Sequence, residues 1–350
     1  MNIEMLFRSM TERNASDLHI ATGMPPLLRV LGGLESLDHP VVTQEDFETL
    51  VEQMLTGSQR VKYLEDLEID FAFSYMQRQR LRAAFYKYMN GSAAAFRMIP
   101  DELIELDRLG LPPVVKEFAR KESGLVLAVG PTGCGKSTTL ASMVDLINRE
   151  RKCHVITIED PIEFVHTNKV SFITQREIDT HTRTFSSALR SALREDPDVI
   201  MVGELRDLET IHLALTAAET GHMVLATIHA NSASECIDRI ISAFPSDQQS
   251  VVRIMLSNTL VGIIYQALIP RADGKARVCA SEVLVGTHAM RNIIREDKTH
   301  QLPSLMQTGI KDGMRSLDQS LRELEMKRLI SSSEASKRMK PKISIAQTVR

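Results

Sequence analysis

The sequence predicts an α/β protein of two domains, and three observations carry that prediction. The chain has 350 residues, 43% apolar and 25% charged, which is ordinary globular composition and enough for about two domains. From Val114 onward, short apolar runs alternate with helical patterns, as in a largely parallel sheet. Between one such run and the next helix stands a glycine-rich turn, Gly130 to Ser137, of the kind that cradles phosphate.

Residues 1–100 read as a mixed α and β module. Asp17 to Ile20 and the Met24-Pro25-Pro26 turn lead into the apolar run Leu27 to Leu31, and Gly32-Gly33 supplies a hairpin-type reversal. Thr43 to Leu55 reads as a helix capped by Thr43, with Phe47, Leu50, Val51 and Met54 at three- and four-residue steps. Strand-like runs follow at Ile69–Ser74, Leu81–Tyr88 and Ala93–Ile99, and Pro100 ends the pattern. Residues 101–113, with Gly110 and Pro112-Pro113, are expected to be a linker.

In the second domain, residues 114–330, the expected buried strands are Leu125–Val129, His154–Ile158, Val199–Val202 and Met223–Ile228. The helix after the glycine-rich turn carries Leu140, Met143, Val144 and Ile147 on one face, and a late helix carries Leu317, Leu321 and Leu324. The uncharged stretch Ile254–Pro270 falls short of a membrane span and reads as a buried helix. Residues 331–350 read as a mobile basic tail.

Composition narrows the function. A net charge of −3, a pI near 6.4 and the absence of tryptophan argue against nucleic-acid or anionic-lipid binding. Cys134, Cys153, Cys236 and Cys279 include no Cys-x-x-Cys pair, which argues against a disulfide scaffold or zinc ribbon. The start has an early acid and no basic region before an apolar core, so no signal peptide is expected. The expected compartment is the cytoplasm.

Gly130-Pro131-Thr132-Gly133-Cys134-Gly135-Lys136-Ser137 is a complete Walker A loop with a strand before and a helix after. Glycines let successive N–H groups converge on phosphate oxygens, and the helix adds its positive N-terminal dipole. Lys136 supplies a charge to the β- and γ-phosphates of ATP, and the Ser137 hydroxyl can ligate Mg²⁺; Thr138 extends the phosphate-binding run.

Val199-Ile200-Met201-Val202-Gly203-Glu204 has the Walker B layout, with Glu204 at the acid position. A second acidic cluster, Glu159-Asp160-Pro161-Ile162-Glu163, follows another buried strand. Acids just past the carboxyl ends of strands face the ligand crevice in open α/β sheets. Arg190 and Arg194 lie four apart on a helix expected over Thr184–Glu195. Like charges at that spacing repel, so either an acid such as Glu195 or Asp198 or a phosphate compensates them. His222 and His229 bracket one strand and read as polar sensors at its ends.

These motifs together resemble one family. GPTGCGKSTT, ITIEDPIEF, REDPDVIMVGELRD and TGHMVLATIHA resemble the Walker A, Asp box, Walker B and His box of secretion and pilus ATPases. HAMRNIIRE, His288 to Glu296, is similar to the C-terminal signature of the PilT family of type IV pilus retraction ATPases. ASDLHIATGMPPLLRV resembles the start of that family's N-terminal domain.

The resemblance implies a PAS-like N-terminal domain, a RecA-like P-loop domain and a ring-shaped homohexamer. The ring would power pilus retraction at the inner face of the inner membrane, against a platform protein and beside a possible second retraction ATPase. It further implies Glu163 as the general base or water-positioning acid and Glu204 as the Mg²⁺-associated acid. By the same likeness Arg82 and Arg97 reach the nucleotide from the N-terminal domain, Arg190 and Arg194 sense it, and His222 and His229 form the His box. Cys134 departs from the family's usual Ser or Ala, and Met290 from its usual Ile. Extension motors often carry a tetracysteine zinc motif, and its absence here favours retraction. The alternatives are an accessory PilU-type motor, a type II or IV secretion ATPase, a nucleotide-sensing switch and a RecA-like DNA motor. The acidic pI disfavours the last.

Overall fold

The computed structural model describes residues 1–30, 32–75, 79–99, 103–274 and 276–339 of the chain. The chain divides into two compact units, Met1–Glu102 and Leu103–Arg350.

The first unit is a six-stranded antiparallel sheet with helices. Its strands are β1 (Asp17–Ala21), β2 (Leu27–Val30), β3 (Gly33–Ser36), β4 (Glu68–Tyr75), β5 (Gln79–Tyr88) and β6 (Gly91–Ile99), in spatial order β3-β2-β1-β6-β5-β4. The reversal at Gly32-Gly33 joins β2 to β3, with Gly32 in the left-handed region at φ +89°. The expected helix runs Gln44–Met54 and is capped as read: Thr43 Oγ1 accepts the Asp46 N–H while Asp46 accepts the Thr43 N–H. Two further helices, Ile3–Glu12 and Gly57–Asp66, were not expected. Their caps were present in the sequence, as Asn2 and as the Thr56/Gln59 capping box. Phe7, Phe47 and Tyr63 on the three helices are buried with Phe85 and Phe96 of the sheet. Edge-on ring contacts, such as Phe7–Phe96 at 5.1 Å, knit the layers together.

The second unit is a seven-stranded sheet: β7 (Gly124–Val129), β8 (His154–Glu159), β9 (Phe172–Glu177), β10 (Val199–Val202), β11 (Met223–Ile228), β12 (Leu260–Pro270) and β13 (Arg277–Val285). The order is β13-β12-β7-β11-β10-β8-β9, and all pairs are parallel except β12–β13. Helices cover both faces. Val126 and Ala128 pack under the helix Lys136–Glu150, and Leu125, Leu127 and Val129 pack under Phe185–Ala192, Leu208–Glu219 and Ala233–Ser242. Burial on both sides explains the unbroken apolar runs that betrayed these strands. The parallel register aligns Val129 with Ile228, and Val202 with both Ala226 and Ile158. The carboxyl ends of β7, β8, β10 and β11 therefore share one edge of the sheet.

Three expectations are modified. Ile254–Pro270 is buried, but it is the end of a helix, Gln249–Thr259, followed by strand β12. A run without polar periodicity does not reveal its own secondary structure. Gly262 sits where a Cβ would come within 2.5 Å of the Phe118 ring, so close packing on the helix Val114–Ala119 requires glycine there. Of the segment 101–113, Asp101 and Glu102 lie outside the described residues. The rest is built into the second unit: Leu106 is buried beside Val115 and Phe118, and Ser142 Oγ donates to the Ile104 carbonyl at 2.6 Å. The tail is helical over Ser332–Arg338, because Ser331 caps it and Ala335 is buried against Leu321 and Ile330. Residues 340–350 lie outside the described residues.

Candidate active site

The phosphate loop leaves β7 at Gly130, whose φ is +145°. A Cβ there would come within 2.5 Å of the Gln266 carbonyl and 2.6 Å of Cys134 Sγ, so only glycine permits the loop to approach β12 this closely. Gly133 and Gly135 also take positive φ, at +74° and +96°. Gly135 stands at the N-cap of the helix Lys136–Glu150 with no side-chain acceptor, leaving the first-turn amides for an anion. Pro131, Thr132 and Gly133 are exposed, and Ser137 and Thr138 are half-buried at the helix start. Cys134 is buried, and burial pushes its thiol up. It is a small apolar filler behind the loop.

Lys136 is buried, and its Nζ donates to the carbonyls of Gly130 and Pro131, both at 2.9 Å. Burial pulls its amine down. The Cys134, Glu204 and Glu163 side chains act in the opposite direction. Lys136 therefore feels both candidate carboxylates, although they follow different strands.

Glu204 follows β10 through Gly203, whose N–H donates to the Ile158 carbonyl at 2.7 Å. Its two carboxylate oxygens are both engaged. Arg206 Nε donates to Oε2 at 2.8 Å, and His229 Nε2 stands 3.2 Å from Oε1. Glu163 lies on the loop after β8, which contains the cis peptide bond Asp160–Pro161. Three side chains clasp the backbone of that loop. Glu177 Oε2 accepts the Ile162 N–H at 3.0 Å, and Glu159 Oε2 accepts the Glu163 N–H at 3.4 Å. Gln175 donates to the Phe164 carbonyl at 2.8 Å and accepts the His166 N–H at 2.7 Å.

The other expected residues have the following partners. Arg190 pairs with Glu209 on the next helix, so the compensating acid is neither Glu195 nor Asp198. Glu195 pairs with Arg176 at 3.1 Å, and Asp198 accepts the His154 N–H at 2.8 Å. Arg194 is exposed and makes no side-chain hydrogen bond or ion pair among the described residues. His222 stands at the amino end of β11, about 20 Å along the strand from His229. Its Nδ1 lies 3.0 Å from the Ala217 carbonyl and 3.2 Å from Thr220 Oγ1, so it closes the preceding helix and does not join the loop edge of its own chain. In the first unit Arg82 and Arg97 are direct cross-strand partners on β5 and β6. Arg82 pairs with Asp70 at 3.2 Å, and Arg97 with Asp17 at 2.7 Å. Burial acts to raise the Asp17 carboxyl, but the Ser16 and Arg97 hydrogen bonds outweigh it and hold the group below its ordinary range.

The structure thus assembles Lys136, Glu163, Glu204 and His229 at the carboxyl edge of one sheet. It adds Arg206, Gln175 and Glu177, which the sequence did not single out, and it gives Glu159, read there only as one of an acidic cluster, a contact with the Glu163 loop. Only Arg206 had a local signal, standing two residues after Glu204. The other three act on the Glu163 loop from β8 and β9, and only tertiary pairing reveals them. Among the described residues no helix is long and apolar enough to cross a membrane.

The family model for type II/IV secretion system proteins matches residues 2–348. The chain is 46% identical over 340 residues to the type IV pilus retraction ATPase PilT of Pseudomonas aeruginosa, covering 97% of this chain and 98% of that one. It is 45% identical over 313 residues to a twitching motility protein of Neisseria gonorrhoeae, covering 89% and 84%. The crystal structure of the pilus retraction motor PilT with bound ADP superposes with a TM-score of 0.91 at 44% identity, covering 98% of each chain.

Proposed function

The chain belongs to the type II/IV secretion system protein family, and from that premise we propose that it is an ATP-hydrolysing motor that powers type IV pilus retraction. One observation carries the reading. The Lys136 ammonium of a complete phosphate loop lies in the field of two carboxylates, Glu163 and Glu204, at the edge where β7, β8 and β10 end. A nucleotide sensor needs the loop alone, whereas turnover needs acids placed against it.

In the proposed cycle the loop amides and Lys136 take the β- and γ-phosphates, with Nζ exchanging the Gly130 and Pro131 carbonyls for phosphate oxygens. Glu163 orients the attacking water and accepts its proton as the new O–P bond forms and ADP leaves. The donors present fit Mg²⁺. The Ser137 hydroxyl makes no hydrogen bond among the described residues, and Glu204 offers a carboxylate that would act through water, since Arg206 and His229 hold its oxygens. When bound, Mg²⁺ neutralises charge on the β- and γ-phosphate oxygens. Thr138 follows Ser137 in the same helical turn.

The finer parts of the reading rest on the family. The first unit is PAS-like and the second RecA-like, and six copies form a ring. Arg82 and Arg97 complete a phosphate site from the N-terminal domain, where such an arginine is worth about 10³ to 10⁵ in rate. Arg190 exchanges Glu209 for nucleotide, Arg194 joins it, and His222 serves the same cycle from the far end of β11. The ring works in the cytoplasm at the inner face of the inner membrane, against a platform protein and beside a second retraction ATPase.

Purified protein is expected to release phosphate from ATP, and no release would leave only a sensor. Deleting the gene is expected to leave more surface pili and no twitching, whereas fewer pili would point to extension.

A further inference from the structure

Glu159 is the last residue of β8 and is buried, although it is an acid at the mouth of the site. Its Oε1 accepts the Thr157 hydroxyl at 2.7 Å and Gln175 Nε2 at 3.1 Å, and its Oε2 accepts the Glu163 N–H at 3.4 Å. Those bonds offset only part of the cost of burying a charge. The groups around it are mostly neutral or acidic. Thr157 lies on its own strand, and Gln175 and Glu177 lie on β9, where Glu177 is its register partner. Glu163 acts on it from the loop, and Asp160, next in the chain, is exposed. Lys136 of the phosphate loop is the cation that Glu163 acts on electrostatically.

We propose that Glu159 is a positioning residue for hydrolysis, whose ionised form holds Glu163 toward the phosphate loop and whose protonated form withdraws it. The inference rests on the function proposed above and deepens it. Ionised, Glu159 accepts the Glu163 amide, and its charge repels the Glu163 carboxylate outward, toward Lys136. Protonated, it becomes an O–H donor and gives that carboxylate a partner inside the protein. Burial, the first cause, and the neighbouring Glu163 raise the Glu159 carboxyl to about 7, so both forms are populated at neutral pH. The clasp by Glu177 and Gln175 keeps the loop backbone in place in either state, so the change falls on the Glu163 side chain.

The test is the pH dependence of ATP hydrolysis by the full chain. Wild type should show kcat rising as pH passes through about 7, with KM for ATP nearly constant, because Glu159 acts through the Glu163 side chain. Glu159→Gln keeps the acceptor for the Glu163 amide but cannot ionise. It should hydrolyse on the order of tenfold more slowly above neutrality, with unchanged KM and a flat profile through that range. Thr157→Val is a second, near-isosteric probe. It removes a hydrogen bond that favours the ionised form and should move the midpoint of the profile to higher pH. An unaltered profile in both variants, at wild-type kcat, would overturn the inference. A wild-type chain that hydrolyses no ATP at any pH would overturn the proposed function instead.

Discussion

His229 Nε2 stands 3.2 Å from Glu204 Oε1, joining the residue after β11 to the acid after β10. With Arg206 on the other oxygen, Glu204 is held at a fixed orientation against the phosphate loop. A carboxylate that must act through a metal-bound or attacking water gains from that restraint. Glu204→Gln is expected to bind ATP yet hydrolyse it about 10² to 10⁴ times more slowly. His229→Ala should lower kcat on the order of tenfold. If His229 works through Glu204, the double variant should be no slower than Glu204→Gln alone. Additive losses in steady-state assays would give His229 a separate role.

Lys136→Ala removes the cation of the loop and the donor that satisfies the Gly130 and Pro131 carbonyls. Nucleotide affinity should fall by at least about 100-fold, the scale of a charge-assisted hydrogen bond lost from a buried site. Titration with a fluorescent ATP analogue measures this, and wild-type affinity would remove Lys136 from the phosphate site.

Gly130→Ala tests the loop's geometry separately from its charge. The added methyl would meet the Gln266 carbonyl at 2.5 Å and Cys134 Sγ at 2.6 Å, at a φ of +145° that side chains avoid. The expected cost is about 2 to 4 kcal/mol of stability in denaturant unfolding, with loss of nucleotide binding. An unchanged midpoint would mean that β12 gives way at Gln266.

Legibility from sequence followed the range of each interaction. The phosphate loop could be read whole because its chemistry lies within eight consecutive residues, Gly130 to Ser137. Strands β7, β10 and β11 could be read because burial on both faces leaves them uniformly apolar. The Glu204–His229 pairing could not, since the two are brought together only by adjacent parallel strands. Arg190 was correctly expected to need a partner, but Glu209 was hidden because it lies on another helix. Glu159 was read with its cluster as an acid facing the ligand crevice, but nothing local announces that β9 and the loop bury it. Likewise β12 has the composition of either a buried helix or a strand, and its pairing with β7 decides.

The raised Glu159 carboxyl also bears on stability. Its folded value, about 7, exceeds the ordinary 4.5. The group therefore contributes stability that is fully present below pH 4.5 and lost as pH rises through 7, on the order of 3 kcal/mol in all. Glu159→Gln cannot ionise, so its melting temperature relative to wild type should be higher at pH 8 than at pH 5. Subtracting the two pH values removes any constant effect of the substitution. A relative melting temperature independent of pH would mean that Glu159 is charged throughout or never.

The helix His288–Arg295 has one buried face and one exposed face. Met290 and Ile294 are fully buried, and Arg291 donates to the carbonyls of Ser257 and Asn258 at the end of the preceding helix. That inner face seats the helix on Gln249–Thr259, which leads directly into β12, and the Gln266 carbonyl of β12 lies against Gly130. His288, Asn292 and Arg295 face outward. Asn292→Glu places a charge on the exposed face, where it disturbs no core contact and costs within about 0.5 kcal/mol of stability. Phosphate release by the variant should match wild type while twitching stops, because the exposed face is where force would be handed to another part of the machine. Loss of hydrolysis together with motility would place this helix in the catalytic core, and retention of both would remove it from the output surface.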